Sequence, residues 1–150
     1  MKQCLIIDDS PVIRKVARVI IADFGFQIRE AEHGRQGFEQ CALEMPDVIL
    51  LDWQMPVMGA HEFLKALRVY APSKRPFIFY CTTEIDFIDV QHARAAGAND
   101  IILKPFDRGS LTAKFARFSD VLAMKHLAMT APDGPWPREA LAELPPLGVA

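Results

Sequence analysis

The chain has 150 residues, 51% of them apolar and 24% charged, with a net charge of −2. This is the composition of a soluble globular domain. It excludes a disordered chain and gives no basis for non-specific nucleic-acid or membrane binding. The length supports one ordinary domain with its own core, and no apolar run approaches the roughly 18 residues of a membrane span.

Strand-like and helix-like patterns alternate five times. The first strand is predicted over 3–7, and Met1-Lys2-Gln3-Cys4 enters it directly, unlike a signal peptide. Its Leu5-Ile6-Ile7 runs into Asp8-Asp9. Ser10-Pro11 then offers an N-cap and a proline at the first helical position, opening a helix over 11–24. Val12, Val16, Val19 and Ile20 share one face of that helix and read as its packing stripe. Gly25 falls where a helix C-cap belongs. A strand over 27–31 and a helix over 34–45 follow. The third strand, 47–52, is the apolar run Val48-Ile49-Leu50-Leu51 closed by Asp52. A helix over 60–70 packs through Phe63, Leu64 and Leu67. The fourth strand, 76–81, runs into Thr82 and Thr83, and a helix over 86–96 ends at Gly97. The fifth strand, 99–103, carries Ile101-Ile102-Leu103 into Lys104-Pro105. Asp107 is placed to cap a last helix, 107–126, with Leu111, Phe115, Phe118 and Leu122 on its core face. Residues 131–150 hold five of the eleven prolines, so 1–126 reads as the domain and 127–150 as a Pro-rich tail, flexible or docked through Trp136 and Leu144.

Apolar runs this rich in Ile, Val and Leu read as buried strands of a parallel sheet. Strict alternation with helices implies right-handed crossovers and helices on both faces. The expected architecture is a doubly wound five-stranded α/β sheet in the order 2-1-3-4-5. Its switch point, where such folds bind ligands, lies between strands one and three. Asp8-Asp9 and Asp52 end those two strands.

Acids, a threonine and a lysine gathered at one sheet edge suit a divalent cation and a phosphoryl group. Mg²⁺ takes hard oxygen ligands and keeps several waters. A carboxylate can also act as nucleophile toward phosphorus, provided cations share the charge on the transferring oxygens. Asp8, Asp9, Asp52 and Lys104 meet those needs, and a hydroxyl at Thr82 or Thr83 supplies a donor to a phosphoryl oxygen.

Taken together, Leu5-Ile6-Ile7-Asp8-Asp9-Ser10, Asp52-Trp53-Gln54-Met55-Pro56-Val57-Met58, Cys81-Thr82-Thr83-Glu84, Ala95-Ala96-Gly97-Ala98 and Lys104-Pro105-Phe106 resemble the receiver domain of bacterial two-component response regulators. The resemblance spans about residues 3–122. No output domain follows, so the chain looks like a stand-alone, chemotaxis-regulator-like receiver with a flavodoxin-like fold. The resemblance implies Asp52 as phosphoacceptor for a histidine kinase or phosphotransfer protein. It implies Asp8, Asp9, Asp52 and the Gln54 backbone carbonyl as Mg²⁺ ligands, and Lys104 and Thr82, with Thr83 beside it, as phosphoryl-binding and switch residues. Gln54 and Glu84 would tune dephosphorylation, and Pro105 would follow a cis peptide bond. A downstream protein would be met at the face of the fourth helix, fifth strand and fifth helix, with no DNA and no membrane insertion involved.

Two departures stand out. Ile101 replaces the aromatic that receivers commonly carry on the fifth strand, so coupling to Thr82 must run through backbone shifts or Tyr80. Met58-Gly59-Ala60 stands where the family usually has Asp-Gly, which alters the entry to the third helix.

Cys4, Cys41 and Cys81 are odd in number and widely spaced, fitting buried reduced thiols in the cytoplasm. His33, His61, His92 and His126 show no metal spacing. Arg108, Lys114, Arg117, Lys125 and His126 make the last helix partly basic, either a solvated face or a surface for a partner or an anionic ligand. Two other readings use the same residues. One is a Mg²⁺-dependent phosphohydrolase, which lacks the second acid two residues after a first-strand nucleophile, since position 10 is Ser. The other is a phosphorylation-independent protein-binding module on a receiver scaffold.

Overall fold

The computed structural model of the protein describes residues 2–55 and 57–118. In chain order the elements are β1 (Gln3–Ile7), α1 (Pro11–Ala22), β2 (Gln27–Ala31), α2 (Gly34–Leu43), β3 (Val48–Asp52), α3 (Ala60–Tyr70), β4 (Phe77–Thr82), α4 (Phe87–Ala96) and β5 (Asp100–Leu103). A fifth helix, α5, occupies 108–118 of the described residues. The strands form one parallel sheet in the order β2-β1-β3-β4-β5, the order expected above. The expected tail, 127–150, and Leu122, Lys125 and His126 lie outside the described residues.

Side chains alternate across each strand, and here both faces are covered. Cys4, Ile6, Leu50 and Phe79 join Ala17, Ile20 and Ile21 of α1 and Leu111, Phe115 and Phe118 of α5 in one core. Leu5, Ile7, Ile49 and Leu51 join Phe63, Leu64 and Leu67 of α3 in the other. Phe79 stacks on Phe115 with ring centroids 5.2 Å apart, and Phe77 meets Phe118 edge-on at 5.1 Å. All three cysteines are buried free thiols, and burial pushes each thiol well above its usual pKa, Cys41 to about 12.

Helix α1 corrects one expectation. Val12, Val16 and Val19 do not form its packing stripe; they are exposed, at 69%, 39% and 55%. The buried face is Ala17, Ile20 and Ile21, with Ile13 packed beside them. The helix is apolar on two adjoining faces, so periodicity alone does not choose between them. Its end is also earlier than expected. Asp23 is the C-cap, and Gly25 lies two residues beyond it at φ +84°. The N–H groups of Phe24 and Gly25 bond to the carbonyls of Ile21 and Ala22, a tighter i−3 turn that closes the helix. Helix α2 stops at Leu43 because Met45 precedes Pro46 and is held out of the helical region.

The other cap residues behave as the sequence implies. The Ser10 side chain accepts from the Ile13 N–H, and Asp107 accepts from the Ser110 N–H at 2.8 Å. Gly97 closes α4 in the left-handed conformation at φ +118°. Helix α3 begins at Gly59 without a side-chain cap, which is the consequence of Met58-Gly59-Ala60. That turn lies hard against α2: the Gly34 N–H donates to the Met58 carbonyl at 3.3 Å. A Cβ at Gly34 would sit 2.5 Å from that oxygen. Gly34→Ala is therefore expected to destabilise the protein by about 1–3 kcal/mol in urea unfolding. An unchanged midpoint would show that the turn after β3 shifts without cost.

Candidate functional site

The carboxyl ends of β1, β3, β4 and β5 converge, as parallel strands must when their apolar runs share one register. They bring Asp8, Asp9, Asp52, Thr82 and Lys104 to one corner, around a cavity of about 130 Å³. Asp9, Asp52, Trp53, Gln54, Cys81, Thr82, Thr83 and Lys104 line it.

Lys104 binds the corner together. Its Nζ lies 3.1 Å from Asp8 Oδ2 and 3.0 Å from Asp52 Oδ1. Burial alone would pull this ammonium down, yet Asp52 and Asp8 outweigh burial and hold it above its usual pKa. Asp52 is pushed up to about 6. Burial is the main cause and Asp8 adds to it, while the Lys104 hydrogen bond opposes both. The Lys104–Pro105 peptide bond is cis.

The three carboxylates differ in what they have left to offer. Asp8 is buried, and both its oxygens are engaged: Oδ1 accepts from the Ser10 N–H at 2.9 Å and Oδ2 from Lys104. Asp9 is exposed at the rim. Asp52 is buried, and its Oδ1 accepts from Lys104 and, at 3.4 Å, from the Gln54 N–H. Its Oδ2 makes no hydrogen bond among the described residues and adjoins the cavity. Asp52 is thus the buried carboxylate with an oxygen to spare.

One oxygen from each of Asp8, Asp9 and Asp52 lies within 4.8 Å of the others. Three carboxylates and one ammonium leave the corner two charges short of neutral, the charge of one divalent ion. An all-oxygen set open on the Asp9 side suits Mg²⁺, which keeps part of its water shell. Thr82 at the end of β4 faces the same cavity. Its hydroxyl donates to the Glu84 carbonyl at 2.8 Å and accepts from the Glu84 N–H at 3.3 Å.

Asp8, Glu84, Ile101 and Pro105, all expected site residues, are not in the cavity lining. Glu84 enters only through its backbone bonds to Thr82. Ile101 pairs in register with Tyr80 and packs beside it, under α4. Along α5, Arg108 is paired with Asp23 and Lys114 with Asp100 at 3.0 Å, so those cations already face carboxylates. One contributor had no sequence signal. Arg14, one turn into α1, donates from Nη1 to the Asp8 carbonyl and from Nε to Glu30 at 3.1 Å. Its position fixes the strand end that carries both acids.

The family model for the response regulator receiver domain matches residues 4–116. The chain belongs to that family. The chemotaxis protein CheY1 of Helicobacter pylori is 34% identical to this receiver over 104 residues, covering 68% of this chain and 84% of CheY1. The transcriptional regulator KdpE of Escherichia coli is 33% identical over 133 residues, 89% of this chain but 56% of KdpE. The chain therefore spans little more than half the length of that relative. Among solved structures, chemotaxis protein CheY4 of Vibrio cholerae superposes with a TM-score of 0.73 at 33% identity, covering 78% of this chain and 98% of CheY4. Receiver domains are signalling phosphoacceptors, bind Mg²⁺ at an acidic pocket, and interact with histidine kinases or phosphotransfer proteins.

The raised pKa of Asp52 has a consequence for stability without metal. Its folded pKa, about 6, lies above the ordinary 3.8, so the native state binds this proton more tightly than the unfolded chain. Stability from this group is then greatest below about pH 4 and declines as pH rises toward 6. At neutral pH the ionised carboxylate costs on the order of 1–3 kcal/mol. In EDTA, Asp52→Asn is expected to be more stable than wild type at pH 7.5, with the gap closing toward pH 4.5. A less stable variant at pH 7.5 would contradict the raised pKa.

Proposed function

We propose that the protein is a response regulator whose receiver takes a phosphoryl group onto Asp52 and thereby changes its affinity for a partner protein. The observation that carries this reading is Asp52 Oδ2, which has no hydrogen-bond partner among the described residues, on a residue that lines a cavity with Lys104 and Thr82. Asp52 Oδ2 attacks the phosphorus of a phosphohistidine, the P–N bond breaks, and the histidine nitrogen leaves with its electron pair and takes up a proton. Asp8, Asp9 and Asp52, with the Gln54 carbonyl, would hold Mg²⁺, which supplies charge neutralisation of the phosphoryl oxygens when bound. Lys104 already stands on Asp52 and balances the growing negative charge. Gln54 lines the cavity beside that atom and, with Glu84 two residues past Thr82, would set how readily water removes the group.

Thr82 supplies the switch. Its hydroxyl donates to either the Glu84 carbonyl or a phosphoryl oxygen, and choosing the second releases the turn that leads into α4. With Ile101 in place of an aromatic, the conduit is Tyr80, its register partner on β4. Tyr80 is 1% exposed and packs on Val90 and Ala93 of α4. It meets Trp53, the neighbour of Asp52, edge-on at 4.5 Å. Its hydroxyl is buried with no hydrogen-bond partner among the described residues. Burial raises that phenol's pKa, and Thr82 lies close enough to oppose the rise without completing a hydrogen bond. An unmet buried hydroxyl costs about 1–3 kcal/mol, so a rearrangement at Thr82 that satisfies it is favoured.

Two exposed apolar patches suit two protein contacts. Val12, Val16 and Val19 run along α1 from beside the acidic corner and fit the phosphodonor protein. Ile85, Phe87, Ile88 and Leu103 lie around the start of α4 and the end of β5 and fit the downstream partner. The phosphorylation-independent alternative gains no support from a corner this complete, and a phosphohydrolase gains none from two adjacent acids on β1.

With Mg²⁺ and acetyl phosphate, the 150-residue protein is expected to gain one phosphate by intact mass. The amides from Glu84 to Val90 are expected to exchange faster with deuterium. Tyr80→Phe should keep the adduct and show a smaller exchange change. No adduct would refute the phosphoacceptor assignment, and an adduct with unchanged exchange would refute the switch.

A further inference from the structure

A cavity of about 270 Å³ lies at the opposite edge of the sheet from the acidic corner, and no step of the proposed phosphorylation uses it. It opens where α3 runs into β4 and α4 runs into β5. Its lining carries four cations, Arg68, Lys74, Arg75 and Arg94, and no acid. The chain as a whole has 19 acids against 17 lysines and arginines. Four of one sign around one cleft is therefore a local segregation, not a reflection of composition. Surfaces without a binding task intersperse the two signs. Among the described residues, neither Lys74 nor Arg94 has a carboxylate within ion-pair distance.

The cleft is also built, not merely open. The Arg68 guanidinium donates to the Ala96 carbonyl at 2.6 Å, which fixes it between the ends of α3 and α4. Gly97 makes room for it, since a Cβ there would lie 2.9 Å from Arg68 Nη2. The floor is apolar, formed by Leu64, Leu67 and Ile78 of the core. At the floor's edge, Asn99 Oδ1 accepts from the Ile78 N–H at 2.8 Å, which leaves the amide nitrogen as the donor presented to a ligand.

We propose that this cleft binds a small organic polyphosphate bearing a flat apolar ring, the chemistry of a nucleotide. The apolar floor takes the ring, Asn99 offers it a hydrogen bond, and the rim of cations takes the phosphates. Arginine forks and a mobile lysine are the side chains that bind phosphate best. The volume is near the lower end of small-molecule sites and matches a mononucleotide better than anything larger. The site is separate from Asp52, so occupancy here does not require the phosphorylation chemistry.

The test is calorimetric titration of the 150-residue protein with ATP in EDTA, which keeps Mg²⁺–ATP from the acidic corner. Saturable binding is expected, weakened at least tenfold in the double variant Lys74→Glu, Arg94→Glu and unchanged in Asp52→Asn. Adenosine alone and inorganic phosphate alone should each bind at least tenfold more weakly than ATP. Amide shifts should fall on Gly97 and Asn99, not on Asp9 or Gln54. If the double variant unfolds, Arg94→Gln alone should weaken binding severalfold. No saturable binding at millimolar ATP overturns the proposal. So does equal binding by the folded charge variant, by inorganic phosphate alone, or a shift pattern centred on the acidic corner. Acetyl phosphate labelling of the charge variant should proceed at the wild-type rate, which separates loss of this cleft from failure of the phosphoacceptor reading.

Discussion

A part-buried ammonium between two buried carboxylates is the interaction on which this structure turns. Lys104 reaches Asp8 and Asp52 at 3.1 and 3.0 Å, and it is the last residue before the chain leaves the edge of β5. Without it, two adjacent carboxylates would share a water-poor corner, a cost of about 3–5 kcal/mol when such a pairing is broken. Its presence also sorts the acids. Asp8 is consumed by Lys104 and the Ser10 N–H, Asp9 remains at the rim, and Asp52 keeps one oxygen for chemistry.

The same arrangement links chemistry to shape. Thr82 belongs both to the cavity and to the turn before α4, so in the proposed switch its hydroxyl would choose between the Glu84 carbonyl and a phosphoryl oxygen. Where relatives in this family commonly rely on an aromatic in β5, the ring here sits one strand over. Tyr80 and Ile101 are register partners, so an aromatic still packs against α4, on the strand that carries Thr82. The apolar patches on α1 and around α4 then lie on either side of the corner that would coordinate them.

The sheet and the corner were legible in the sequence because they rest on short-range facts. Each buried strand is a continuous apolar run, and each run stops at a charge or hydroxyl, so Asp8, Asp9, Asp52, Thr82 and Lys104 announce themselves. Parallel topology did the rest by aligning the strand ends. The face of α1 was not legible, because Val12, Val16 and Val19 are as apolar as the Ile13, Ala17, Ile20 and Ile21 that pack. The sheet and the neighbouring helix α5 together decide which set is covered. Arg14 was hidden for a related reason: its target is a backbone carbonyl, which has no sequence identity. The basic cleft was hidden because its cations come from three separate stretches that look like ordinary solvated charge until α3 and α4 bring them together.

The assignment of Asp52 over its two acidic neighbours is most directly tested by mapping the phosphoryl group. The protein is labelled with acetyl phosphate and Mg²⁺, the acyl phosphate is reduced with borohydride to the alcohol, and the modified residue is located by peptide mass. Reduction at residue 52, with residues 8 and 9 unmodified, is the expected result. A mark at Asp8 or Asp9, or none at all, would contradict it.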